Sequence, residues 1–395
     1  MNRFLLNSRH QADFMITQPT PGLVCDVFCR VVDNLGDIGV CWRLCANLVA
    51  RGHRVRLWID EPEALRWMAP GALEGQWAGI AVLHWTQALS AEHLHTSHTL
   101  PADVWLETFG CQPPAELQHQ LAGHLAGGGV APVWVNLEYL SAERYVERSH
   151  RLPSLASHGP LRGMRHWFFY PGFTRGTGGL LREPGLMERR QAFDALSWLA
   201  QQGWVCKQGR RISLFCYEPP ALPALLRQAC ADGGCDWLVT AGRASAAVQA
   251  AQTCAAAPTT ADDGGCTPVP PVQYLPLLTQ QDFDHLLWAC DLNFVRGEDS
   301  LVRALWAGQP FVWQIYPQHD EAHHTKLEAF LDWLQAPASL RELHRVWNGM
   351  QHSTQPWPGW AEVLSWRDCV QAARERLLAQ PDLVRQLCEF VTDQR

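Results

Sequence analysis

The chain has 395 residues, enough for two or three domains at about 150 residues each. Its composition is 47% hydrophobic and 18% charged with a net charge of −7, which excludes a disordered chain and argues against a nucleic-acid coat, since that needs a basic surface. No run approaches about 18 apolar residues, so no membrane-spanning helix is expected.

Residues 1–22 hold only a short apolar patch and no signal-peptide core, and they read as a poorly ordered extension. Val24–Cys29 reads as a buried strand, and the glycine-containing turn Asp33–Gly39 follows it. An amphipathic helix is predicted from about Val40 to Ala50, with Gly52 as its stop signal and Arg54–Ile59 as the next strand. Strand, helix and strand in this order form a βαβ unit, hence a parallel sheet. Further strands are predicted at 80–84, 103–108, 132–136 and 166–170.

A second α/β run follows a predicted helix at 187–202. Its strands are Ile212–Cys216, Trp237–Thr240, Val272–Leu275, Asp291–Val295 and Pro310–Trp313. Between the second and third of these, Ala244–Pro271 is a low-complexity stretch rich in Ala, Thr, Pro and Gly, read as an expanded loop or a short helix plus loop. From Glu321 onward the pattern is helical, and the last helix, about Gln371–Asp393, is long enough to cross back onto the first domain. Two parallel-sheet domains around a cleft are the expected architecture.

The fourteen cysteines contain no CxxC pair, and most interrupt apolar runs, so they read as buried free thiols of a reducing cytoplasm. Only Lys207 and Lys326 are lysines, and the phosphate-binding GxxxxGK[ST] loop is absent. Asn34-Leu-Gly36-Asp-Ile-Gly39 is one residue away from the GxGxxG dinucleotide fingerprint, with Asp60 ending the second strand. Asn replaces the first glycine, and Asp37 stands where a pyrophosphate would be repelled. Asp33 and Asp37 instead place two carboxylates at the carboxyl end of a parallel strand, where such folds bind ligands. Asp37 is also suited to capping a helix start. Three readings stand: a cap, a catalytic or substrate-binding carboxylate, or a nicotinamide site.

Phe294-Val-Arg-Gly-Glu-Asp-Ser300 ends a strand and opens a helix. Backbone N–H groups at such a start bind phosphate oxygens; Ser300 can add a bond, Arg296 can neutralise a diphosphate and Glu298 can accept from sugar hydroxyls. The same residues are ordinary capping vocabulary. Pro171–Gly179, with four glycines, reads equally as an interdomain lid or a binding loop. His319 and His323 with Asp320 and Glu321 have a spacing that imitates a metal site, but Pro317 implies a loop and a third ligand is lacking.

These motifs occur together and in this order in one family. The chain resembles the bacterial elongation factor P arginine rhamnosyltransferases (EarP). The matching stretches are Cys25–Asp60 with its Val-Val-Asp-Asn-Leu-Gly-Asp-Ile-Gly-Val-Cys-Trp-Arg, Asn136-Leu-Glu-Tyr-Leu-Ser-Ala-Glu, Tyr170-Pro-Gly-Phe-Thr with Gly-Thr-Gly-Gly-Leu, Ser213-Leu-Phe-Cys-Tyr-Glu, Phe294–Ser300, and Trp306–Trp313 with Tyr-Pro-Gln.

The resemblance implies an α/β protein of the GT-B glycosyltransferase fold, two Rossmann-like domains facing a central cleft. The acceptor domain would span 23–185 and the nucleotide-sugar domain 186–365, with 366–395 crossing back. It implies transfer of L-rhamnose from dTDP-β-L-rhamnose to an arginine of elongation factor P, with inversion and with neither metal nor cofactor. Such a modification activates elongation factor P to rescue ribosomes stalled at polyproline. The family's aspartates fall on Asp33 and Asp37. Its nucleotide-site residues fall on Phe215, Tyr217, Gln280, Arg296, Glu298, Asp299, Ser300 and Tyr316, with Leu277 where the family carries Phe near the thymine. Asn34, Gly36 and Gly39 are loop contacts. The partners implied are elongation factor P and the donor, with no nucleic acid or membrane. The chemistry agrees with this: a guanidinium with a pKa above about 12 needs carboxylates to orient it and to accept its proton. The competing classes are a nicotinamide-dependent oxidoreductase and a non-catalytic binding module with a degenerate nucleotide site.

Overall fold

The computed structural model describes residues 22–32, 35–85, 102–204, 209–232, 235–256, 272–317, 322–352 and 357–395. The predicted extension, except for Gly22, the Ala-rich segment beyond Ala256, and His319, Asp320 and Glu321 lie outside the described residues.

Strands β1 (Val24–Cys29), β2 (Arg54–Ile59), β3 (Ile80–His84), β4 (Val104–Thr108), β5 (Val133–Leu137), β6 (Pro153–Leu155) and β7 (Arg165–Phe169) form one sheet in the order β3-β2-β1-β4-β5-β7-β6. Every pairing is parallel except β6 with β7. The short strand β6 is an addition to the strands predicted from sequence. Helices α1 (Gly36–Ala50), α2 (Leu65–Met68), α3 (Ala115–Ala126) and α4 (Tyr145–Ser149) belong to this half. The near-continuous burial of β1, β4 and β5 is what a parallel sheet covered on both faces requires.

The second half contains α5 (Leu186–Gln191), α6 (Ala195–Gln201), β8 (Arg210–Leu214), α7 (Leu222–Asp232), β9 (Cys235–Val239), α8 (Arg243–Ala256), β10 (Val272–Tyr274), α9 (Gln280–Ala289), β11 (Leu292–Arg296), α10 (Gly297–Ala307), β12 (Phe311–Gln314), α11 (Ala322–Leu334) and α12 (Ala338–Trp347). Its sheet is wholly parallel, in the order β10-β9-β8-β11-β12. Both sheets therefore repeat one order, third-second-first-fourth-fifth. In each the order reverses beside the first strand, at β1/β4 and at β8/β11. Such switch points open a crevice at the carboxyl ends of the strands.

Two expected single helices are each broken. Between α5 and α6, Asp194 starts a new helix by accepting the N–H groups of Leu196 and Ser197. The last helical region divides into α13 (Trp360–Leu378) and α14 (Leu383–Gln394). Pro381 cannot continue a helix, and Asp382 caps the next one through the Arg385 N–H at 3.1 Å. Helix α13 buries Val363, Trp366, Val370 and Leu377 in the second half's core. Helix α14 buries Leu383, Leu387 and Phe390 against the first sheet. Among the described residues, no helix is long and apolar enough to cross a membrane.

Candidate active site

Helix α1 begins at Gly36, four residues earlier than predicted, so the fingerprint-like glycines lie in its first turn. The Gly39 N–H donates to the Leu35 carbonyl at 3.1 Å, and the Gly39 carbonyl accepts the Gln280 Nε2–H at 2.9 Å. A Cβ at Gly39 would stand 3.5 Å from Gln280 Nε2 and 3.6 Å from Asp299 Oδ2. The turn is thus packed against α9 and α10. It is not a pyrophosphate-binding loop, which removes the nicotinamide reading. Asp37 is buried in the same turn, and its Oδ2 accepts the Val32 N–H at 2.9 Å. A carboxylate here is also favoured by the helix dipole. Asp33 and Asn34 lie outside the described residues.

Across the crevice, β11 delivers Arg296 to the start of α10. Gly297 follows with φ +68°, a left-handed conformation that glycine adopts without strain. The Arg296 guanidinium lies 4.5 Å from the Phe215 ring centroid and 4.6 Å from that of Tyr217, and its Nη1 donates to the Cys216 carbonyl at 3.0 Å. The cation is fixed by two aromatic faces and a carbonyl. Trp313 Nε1–H donates to the Gly297 carbonyl at 2.8 Å, which anchors the first residue of the helix. The Ser300 hydroxyl donates to the Arg296 carbonyl one turn back.

Two cavities meet at Gly36. The larger, about 530 Å³, is lined by Asp37, Tyr139, Glu143, Tyr145, Glu298, Tyr316, His323 and Lys326 among others. This size falls within the range of about 300–1,000 Å³ usual for small-molecule sites. The smaller, about 80 Å³, is lined by Phe215, Leu277, Gln280, Phe283, Arg296, Asp299 and Ser300, with Gly39 and Arg43 from the first domain. Tyr217 lines neither. It is buried between Arg296 and the half-exposed Tyr316, whose ring it meets edge-on at 5.7 Å. Leu277 stands at the mouth, 53% exposed.

Three predicted side chains are engaged in ways the motifs did not suggest. Glu298 Oε2 accepts the Leu140 N–H at 2.8 Å, while Oε1 pairs with Lys326 Nζ at 2.6 Å. Asp299 is bound by Arg43, with 3.0 Å between Nε and Oδ1. Gln280 spends its amide on the Gly39 carbonyl.

Residues missed by sequence reasoning complete the larger cavity. Tyr139 stacks on Phe109 with centroids 4.6 Å apart and planes 17° from parallel, and Lys326 Nζ lies 5.8 Å from its ring. Burial, then the Asp37 and Glu298 carboxylates, push the Tyr139 hydroxyl above its ordinary range. The stretch Asn136–Glu143, at the carboxyl end of β5, was the available signal. Lys326 is one of only two lysines in the chain. His323, half of the predicted His pair, lines this cavity with its ring centroid 4.2 Å from that of His324.

The glycine loop Pro171–Gly179 is packed closely against neighbouring chain. The Gly178 N–H donates to the Tyr170 carbonyl at 2.7 Å, and a Cβ at Gly178 would lie 2.5 Å from the Phe169 ring. Phe173 is buried against Phe330 and Trp333. Its glycines permit close approach to its own chain.

The arrangement sets two first-domain carboxylates, Asp37 and Glu143, against a second-domain helix N-terminus that carries Glu298 and a fixed arginine. The first suits a cationic acceptor, and the second suits an anionic leaving group.

Comparison with known proteins is consistent with this division. A protein-arginine rhamnosyltransferase of Pseudomonas putida is 43% identical over 387 residues, covering 92% of this chain and 97% of that protein. One of Pseudomonas aeruginosa is 41% identical, covering 93% and 98%. A solved structure concerning EarP-mediated arginine glycosylation of translation elongation factor EF-P superposes with a TM-score of 0.60 at 31% identity, covering 94% of this chain and all of that one. The glycotransferase of kitacinnamycin, 13% identical with a TM-score of 0.50 and covering 94% and 100%, shares the fold alone. The family model for the Elongation-Factor P (EF-P) rhamnosyltransferase EarP matches residues 25–392. The chain therefore belongs to the elongation factor P rhamnosyltransferase family, and it is a glycosyltransferase of the GT-B fold.

Proposed function

We propose that this protein transfers L-rhamnose from dTDP-β-L-rhamnose to one arginine of elongation factor P, with inversion and without a metal, in the cytoplasm. Elongation factor P so modified acts on polyproline-stalled ribosomes. The observation that carries the reading is that Asp37 and the start of α10 border, from opposite domains, neighbouring cavities that share Gly36.

The diphosphate lies at the N-terminus of α10 beside Arg296, and the thymine between Phe215 and Leu277. The acceptor guanidinium enters the carboxylate-lined side. Asp37 takes its proton as the terminal nitrogen attacks the anomeric carbon, the C–N bond forms and the C–O bond to dTDP breaks. Asp33 holds the guanidinium fork. The charge that develops on dTDP is stabilised by α10 and Arg296, groups already oriented before reaction. Glu298, with Lys326 and the Leu140 N–H on its two oxygens, is oriented for hydrogen bonding to the sugar. Ten free cysteines among the described residues fit a reducing compartment.

Intact-mass analysis of elongation factor P incubated with this protein and dTDP-rhamnose tests the reading. One added rhamnose per molecule, lost when the target arginine becomes lysine, is expected. An unchanged mass would overturn it.

A further inference from the structure

One buried group of charges joins the two domains beside the smaller cavity, which two of its members, Arg43 and Asp299, help to line. Arg43 of α1 directs its fork across the crevice. Its Nε lies 3.0 Å from Asp299 Oδ1, its Nη2 3.0 Å from Asp284 Oδ1 and its Nη1 3.2 Å from Asp284 Oδ2. Nη2 also donates to the Gln280 carbonyl at 3.2 Å. Arg303 of α10 grips Asp284 from the other side at 2.6 Å and Glu183 at 2.8 Å. The side chains of Arg43 and Arg303 are 5% and 2% exposed. Burial pushes Glu183 up, but Arg303 and Arg43 outweigh it and hold the carboxyl at about 2.

So deep an ion cluster is a poor source of stability, because desolvation offsets the attraction. Its better-attested use is to select one register between packed elements. Here the elements are α1, α9 and α10. Arg43 stands six residues after Asp37 on one rigid helix, about 9 Å along its axis. Gly39, between them, is where that helix presses on Gln280 and Asp299. Seating Arg43 therefore fixes where Asp37 stands relative to the start of α10.

We propose that Arg43 is a positioning residue for the transfer reaction: its fork on Asp284 and Asp299 sets the placement of Asp37 against the donor-side helix. The inference rests on the reading of Asp37 as the base. A lysine keeps the charge but cannot hold two carboxylates in one plane.

The test is a double-mutant cycle on the full chain. Arg43→Lys is made in the wild type and in Asp37→Asn, and kcat, KM and dTDP affinity are measured beside thermal melts. Arg43→Lys should lower kcat about 10–100-fold, the scale of a misplacement near 1 Å, with dTDP affinity within about threefold. In the Asp37→Asn background the same change should cost less than about threefold, because the base it would misplace is gone. An equal factor in both backgrounds, or a wild-type kcat in Arg43→Lys, would overturn the inference while leaving the base reading intact. An Asp37→Asn protein that turns over at the wild-type rate would overturn the base reading and the inference with it. If Arg43→Lys does not fold, Asp284→Asn, which preserves size and lines neither cavity, enters the same cycle with the same criteria.

Discussion

Replacing Asp37 by asparagine separates its two roles by magnitude. In the fold, Asp37 Oδ2 accepts the Val32 N–H at 2.9 Å, at the start of α1. Asparagine keeps an oxygen there. The structural loss is the difference between a charged and a neutral acceptor, about 1 kcal/mol. A helix-dipole contribution of about 0.3–1 kcal/mol adds to it. The variant should therefore melt only a few degrees below the wild type. In catalysis, loss of a general base slows turnover about 10²–10⁴-fold, which is about 3–5 kcal/mol on the barrier. Asp37 does not line the smaller cavity proposed for dTDP, so nucleotide affinity by calorimetry should stay within about twofold. A time course of elongation factor P mass gives the rate, and circular dichroism with thermal melting gives the fold. A folded variant that transfers rhamnose within about threefold of the wild-type rate refutes the assignment and makes Asp33 the next base to test. A variant that does not fold shows that tethering Val32 is the dominant role.

Acid should destabilise the protein through His344. Burial lowers its pKa to about 4; its Nε2 accepts the Trp313 N–H at 3.0 Å and its Nδ1 lies 2.9 Å from the Leu340 carbonyl. Unfolded, it takes a proton near pH 6.5, so the unfolded state binds more protons below that value and stability falls between about pH 6.5 and 4, by about 3 kcal/mol. Urea unfolding across this window checks the slope, which His344→Gln should flatten. Gly178→Ala should cost about 1–3 kcal/mol by urea unfolding, since its Cβ would stand 2.5 Å from Phe169 Cε1 and 3.0 Å from the Tyr170 carbonyl oxygen. Lys326→Met should slow rhamnose transfer about tenfold or more, and Lys326→Arg much less, because Glu298 Oε1 loses its charged partner at 2.6 Å. EDTA should leave the transfer rate within about twofold; loss that Mg²⁺ restores would refute a metal-free reaction.

The layout of strands and helices was legible because its signals are local. Val24–Cys29 and Asp291–Val295 are apolar runs followed by glycine turns, and such runs become parallel strands whose carboxyl ends carry the site. The start of α10 was legible for the same reason: Arg296, Glu298 and Ser300 are close in sequence and open one helix. The start of α1 was misread because Gly36 and Gly39 lower helix propensity by about 1 kcal/mol each. What overrides this is tertiary. Gly39 must be small where Gln280 and Asp299 approach, and neither is near it in sequence. The Arg43 group had no local signal at all, since Arg43, Glu183, Asp284 and Arg303 meet only after both domains form. Pro381 and Asp382, by contrast, are a local stop and start, and the break between α13 and α14 was available to a closer reading.

The engagement of Glu298 bears on why the base should be Asp37. Both of its oxygens already accept hydrogen, one from a backbone amide at 2.8 Å and one from an ammonium at 2.6 Å. Donors on both oxygens fix the orientation of the carboxylate. Such a carboxylate suits the role of a fixed acceptor for a hydroxyl. It also offsets part of the Lys326 charge in the larger cavity, near where a guanidinium must enter. Asp37 lines the same cavity from the first domain. The acceptor's own cation would meet the Asp37 and Glu143 carboxylates there. Binding the guanidinium between Asp37 and Glu143 would place the basic oxygen beside the nitrogen that must lose its proton. Removing the Lys326 charge should therefore impair Glu298 without creating a second base, and Lys326→Met combined with Asp37→Asn should transfer no faster than Asp37→Asn alone.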